Sequence, residues 1–113
     1  MIDLAFLTEF TKGDKNKMVK YIKLYLELAP GILDMMKNDL SRKDWQNMAI
    51  NAHSLKPQAD FMGNKEMKLI LEEIEEKVRT ASPANLPDLY TDAKQSHEKA
   101  AVILREVLDD LSR

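Results

Sequence analysis

From residue 86 to the C-terminus, Leu86, Tyr90, Ala93, His97, Ala100, Leu104, Val107 and Leu111 follow one another at steps of three or four. That period places them on a single stripe of an α-helix. The same rhythm recurs in Met18, Tyr21, Ile22, Tyr25 and Leu28, and again in Ile32, Leu33, Met36 and Leu40. It returns in Trp45, Met48, Ala52, Leu55, Ala59 and Met62, and in Met67, Ile70, Leu71, Ile74 and Val78. Helix breakers are scarce, with 3 glycines and 4 prolines among 113 residues. A chain so patterned is expected to be all-α, because its apolar stripes can be buried only against one another.

The breakers set the boundaries. Residues 2–10 form a short apolar helix, a lid on the bundle. GDKN at 13–16 is a turn in which Asp14 caps the following helix. Pro30 and Gly31 interrupt that helix, so a kinked or two-part helix reaches to about residue 40. Ser41 with Asp44 resembles a capping box. Gly63 and Asn64 provide a break and a cap, and SPANLP at 82–87 is a loop. The expected fold is an antiparallel four-helix bundle with a short extra N-terminal helix, a single domain over residues 1–113.

Charge and residue usage narrow the function. A net charge of -2 and a pI near 5.7 lack the basic stripe that nucleic acid requires. The absence of cysteine excludes disulfides, zinc-thiolate sites and cysteine nucleophiles. No apolar run approaches the length of a membrane span, and MIDLAFLTEF carries acids where a signal peptide starts with bases. The chain is expected to be cytoplasmic and monomeric, and Met1 points to a separate protein rather than a piece of a larger kinase. The three glycines, at 13, 31 and 63, are too scattered for a loop that cradles phosphate.

One helix carries chemistry on its wet side. At about 100° per residue, His53 lies roughly 130° from the centre of the Trp45–Met62 stripe and faces away from the core. Gln46, Ile50 and Pro57 project in broadly the same direction, and Lys56 lies one turn from His53 on the flank. Ile50 is apolar on a face that should be wet. Pro57 has no N–H to offer the carbonyl of His53 four residues back. The core stripe nevertheless runs through Pro57 in phase, which favours a kinked but continuous helix. His97, by contrast, sits on an apolar stripe and is expected to be a hydrogen-bonded residue flanking the core. Glu72, Glu73, Glu75 and Glu76 read as a solvated acidic face, and no ligand spacing supports a metal site.

The stretch AHSLKPQADFMG resembles the signature of histidine-containing phosphotransfer (HPt) domains. Ala52, His53, Leu55, Lys56 and Gly63 match it, and Ala59 stands at its usual small position. Pro57 departs from it, since the family usually has glycine there. The resemblance extends to FTKGDKNKMVKYIKLYLELAPGILDMM, to KDWQNMAINAHSLK and to LEEIEEKVR. It implies a helical bundle in which His53 takes a phosphoryl group from an aspartyl phosphate and passes it to another aspartate. The partners implied are response-regulator receiver domains and a hybrid sensor histidine kinase. No cofactor is then needed on this chain, because the receiver supplies Mg²⁺, and no ATPase or kinase activity is expected. Lys56 would keep the imidazole unprotonated and later stabilise the phosphoryl charge. Gln46, Ile50 and Pro57 would belong to the docking surface. The competing reading is a helical adaptor that binds a receiver or kinase without being phosphorylated.

Overall fold

Five helices follow the apolar rhythm in a computed structural model that describes residues 2–113. They are α1 (Ala5–Phe10), α2 (Lys15–Ser41), α3 (Trp45–Phe61), α4 (Lys65–Arg79) and α5 (Leu86–Leu111). Met1, on which the expectation of a separate protein rests, lies outside the described residues. Each of α2 to α4 starts at a polar side chain that accepts the backbone N–H three residues on. Asp14 accepts from Lys17, Asp44 from Asn47 and Asn64 from Met67. Such caps satisfy amides that the first helical turn leaves without partners.

The long helices close a ring. α2 packs on α3, α3 on α4, α4 on α5, and α5 back on α2. Two contacts give the relative direction of α2 and α5. The Tyr90 hydroxyl donates to the Leu33 carbonyl at 3.0 Å, and Tyr25 meets His97 at 2.9 Å. Higher numbers on one helix meet lower numbers on the other, as antiparallel neighbours require. The result is an elongated four-helix bundle, 47 × 20 × 19 Å. Its core holds Leu7, Ile22, Met36, Met48, Leu55, Met67, Leu71, Ile74, Leu86 and Leu104, all fully buried. At roughly 1.5–3 kcal/mol for each such side chain, this burial is the main favourable term of the fold.

Four local expectations are corrected. Ser41 is not a cap: it is the last residue of α2, and Asp44 itself caps α3. The turn between them is made by Lys43 in the left-handed region, φ 56°. Of the kinked or two-part helix expected at Pro30, the two-part form is ruled out: α2 runs through Pro30, because Ala29, Ile32, Leu33 and Met36 around it are buried in phase and packing holds the helix through the lost hydrogen bond. Leu28 is 44% exposed, and Ala29, fully buried, takes its place on the core stripe. The loop at 82–87 is shorter than expected, since Pro83–Asn85 forms a 3₁₀ turn that feeds Leu86 and Pro87 into the first turn of α5. Proline is tolerated there because first-turn amides have no helical acceptor.

The N-terminal segment is tied to the end of α3. The Asp3 amide donates to the Gly63 carbonyl at 3.0 Å. Gly63 has φ +73°, and a Cβ on it would fall 1.7 Å from the Asp3 carbonyl oxygen. Only glycine permits both the backbone turn and this approach. α1 is thereby laid beside α3, with Leu7 buried and Phe6 and Phe10 outside.

Candidate functional site

α3 runs without interruption from Trp45 to Phe61 and contains Pro57. Met48, Ala52, Leu55 and Ala59 are buried along its inner side. His53 therefore projects outward, and its side chain is 73% exposed. Ile50 is 56% exposed, and Gln46 and Pro57 are exposed as well. The four residues grouped by the helical wheel thus all reach solvent. Pro57 cannot donate to the His53 carbonyl, so that acceptor has no i+4 partner within the helix.

The acidic run of α4 is not simply a solvated face, and here the sequence expectation is corrected. Glu75 is half-buried and lies against α3. Its Oε2 is 2.9 Å from Nδ1 of His53, and its Oε1 is 2.8 Å from Nζ of Lys56. One carboxylate thus holds both chemical side chains of the α3 motif. Burial pushes the Glu75 carboxyl up, but hydrogen bonds from Lys56 and His53, with their charges, outweigh it and hold the group below the usual carboxylate range. The hydrogen bond to Glu75 raises the Lys56 ammonium in turn, so both stay ionised near neutrality.

This geometry selects a tautomer. An ionised carboxylate only accepts hydrogen bonds, so Nδ1 of His53 carries the proton. In the neutral ring, Nε2 is then the atom with the free lone pair. Lys56, expected to act on the imidazole, pairs with the same carboxylate that His53 meets. Its butyl stem is drawn in towards α4, and its side chain is only 25% exposed.

The sequence contained a signal for Glu75. α3 and α4 form a hairpin about Gly63 and Asn64, and His53 and Glu75 each stand eleven residues from Asn64. Residues equidistant from the turn of an antiparallel hairpin lie level with one another. Asp60 and Lys68, each four residues from Asn64, obey the same rule and approach to 3.8 Å. With His53, Lys56 and Pro57 they line a shallow hollow of about 310 Å³. Lys68, not singled out from the sequence, adds a second lysine to the lining of that hollow, its ammonium paired with Asp60.

The remaining polar residues serve the core. His97 is 7% exposed, and its Nδ1 shares a 2.9 Å hydrogen bond with the Tyr25 hydroxyl, which also lies 3.6 Å from the Met67 sulfur. Burial pushes His97 down, with Arg105 adding to that shift and Glu98 opposing it. Among the described residues, no group of three or more His, Asp or Glu side chains converges as a metal site. No helix of the described residues is long and apolar enough to cross a membrane. The family model of the Hpt domain matches residues 20–113. Comparison with curated proteins gives no match, and neither does comparison with solved structures.

Proposed function

The chain belongs to the Hpt domain family, and from that premise we propose that His53 is the phosphorylated residue of a relay between receiver domains. Membership places the chain in the histidine phosphotransfer of two-component signalling. The observation that carries the finer reading is the pairing of an exposed His53 with Glu75. With Nδ1 held by the carboxylate and the side chain 73% exposed, Nε2 is the ring nitrogen left for a partner.

The Nε2 lone pair attacks the phosphorus of an aspartyl phosphate on the receiver. A P–N bond forms while the P–O bond to the aspartate breaks, and the aspartate leaves as a carboxylate. The ring, already carrying a proton on Nδ1, gains positive charge as the bond forms. Glu75 accepts that N–H and stabilises the charge without any proton having to move. Transfer to the next receiver reverses the sequence, with the imidazole as leaving group. Lys56 and Lys68 supply positive charge near the phosphoryl oxygens, which supports a reaction governed by positioning and electrostatics.

Mg²⁺ is expected on the partner receiver, and this chain contributes no nucleotide site or kinase chemistry of its own. Receiver domains, and a hybrid sensor histidine kinase that carries one, are the partners. We place the chain in the cytoplasm with them, as a monomer. Gln46, Ile50 and Pro57 are the first residues of α3 that a docked receiver would meet around His53.

Incubation with a receiver phosphorylated on its aspartate tests this reading. The chain should acquire a label that is acid-labile and alkali-stable, and His53→Gln should abolish it. A label that persists in His53→Gln would remove His53 from the role. Binding without any label in the unsubstituted chain would instead establish the adaptor.

A further inference from the structure

The strongest unexplained feature of the surface is a patch of aromatic rings. Phe6 and Phe10 on α1 are 58% and 57% exposed. They pack edge-on against Phe61 at the end of α3, with ring centroids 5.6 and 5.3 Å apart. Rings placed so openly lose much of the stabilisation that burial would bring, and a contiguous apolar patch of this kind marks an interaction surface. The rings wall an open groove of about 740 Å³ whose floor includes Pro57. Pro57 and Asp60 also line the hollow around His53. The groove and the hollow are therefore one continuous face.

Two further observations define what this face fits. α1 precedes the residues matched by the Hpt family model, which begin at 20. The aromatic wall is thus carried by an element outside the matched bundle, seated on it by the backbone contact between Asp3 and Gly63. Asp3 and Glu9 give the groove an acidic rim along α1, while Asp60 is paired with Lys68 at 3.8 Å and Lys65 also lines the groove. An apolar centre with an acidic rim complements an apolar surface with a basic rim.

We propose that Phe6 and Phe10 are a selectivity element for the receiver domain, which seats an apolar, basic-rimmed surface in the α1 groove while its phosphorylated aspartate faces His53. This inference rests on the phosphocarrier reading and deepens it. Contact at the groove fixes which receiver stays long enough to react, while the chemistry remains with His53 and its neighbours. Aromatic anchors in an otherwise polar surface are the residues on which protein–protein affinity usually depends.

The test uses the full chain and the receiver domains of the same genome, each phosphorylated on its aspartate with acetyl phosphate. The receiver that labels the chain fastest is then assayed against Phe6→Ser/Phe10→Ser. KM should rise about tenfold or more, with kcat little changed. Phosphoramidate, a small donor that needs no docking, should label variant and parent at the same rate, with ammonia leaving. Glu9→Lys, an exposed rim change that leaves the rings in place, should raise KM in the same direction. Val102→Ser, which removes an exposed apolar residue of α5 outside the groove, should leave KM unchanged. An unchanged KM in both groove variants would overturn the selectivity role and leave the phosphocarrier reading standing. So would self-association of the parent chain that the double variant abolishes without altering transfer, because the groove would then seat a second copy. Failure of every receiver to label the parent chain would remove both.

Discussion

Nδ1 of His53 lies 2.9 Å from Oε2 of Glu75, across the seam between α3 and α4. The two residues are 22 apart in sequence. The contact decides which ring nitrogen is available for chemistry, because the carboxylate can only accept. Glu75→Gln keeps the size but offers either an amide oxygen or an N–H to the ring, so both tautomers become accessible. Phosphoryl acceptance should slow by about ten- to a hundredfold, the usual scale for loss of an orienting partner. Phosphorus NMR of the labelled protein should show only the Nε2 adduct in the parent and a fraction of Nδ1 adduct in the variant. A pure Nε2 adduct formed at the parental rate would show that Glu75 does not position the ring.

Ile50 is 56% exposed on the same side of α3 as His53. Ile50→Glu removes no core contact, so thermal stability should change by less than about 0.5 kcal/mol. Receiver affinity should nevertheless fall several-fold, since a charge would be buried at the interface. Calorimetric titration with the receiver that labels the chain, alongside a melt, would check both halves.

Pro57 denies the His53 carbonyl a backbone donor. Pro57→Ala restores that hydrogen bond and should stabilise the bundle by about 1 kcal/mol. Urea unfolding of the two proteins measures this directly. A stability below that of the parent would mean that the ring of Pro57 packs better than it hydrogen-bonds.

Gly63 combines a φ of +73° with an Asp3 carbonyl oxygen 1.7 Å from the place of a Cβ. Gly63→Ala should cost about 2 kcal/mol or more, from left-handed strain together with displacement of the N-terminal segment. Hydrogen exchange should rise at Asp3 and along α1 while the amides of α5 stay protected. A loss of protection spread evenly over the bundle would contradict this local origin.

Burial depresses His97 from its ordinary value of 6.5. The folded protein therefore binds this proton less readily than the unfolded chain. The associated stability is fully present above pH 6.5 and is lost as the pH falls through the depressed folded value. Stability should decline as the pH falls below 6.5, more steeply in the parent than in His97→Gln, which retains a hydrogen-bonding side chain but no titration. Denaturant midpoints across that range would show it. Glu75, held below 4.5, adds a second decline only at more acid pH, which separates the two groups.

Much of this molecule was legible one helix at a time. Periodicity placed four long helices, and cap chemistry placed Asp14 and Asn64, because both are decided by residues within a turn of each other. The outward aim of His53 followed from the same arithmetic, and so did the inward aim of His97. Contacts across helices were not legible in this way. Glu75 looked like one of four equivalent acids until α4 packed on α3 and drew it between His53 and Lys56. Pro30 looked like a boundary until core packing on either side carried α2 through it, and Ser41 looked like the start of a helix although it ends one. The sequence by itself determined the helices and the direction of the imidazole, since those depend on local geometry. Tertiary structure alone decided its tautomer, its counter-ion and the aromatic groove beside it, since charges and rings remote in sequence act only at the few ångströms to which packing brings them.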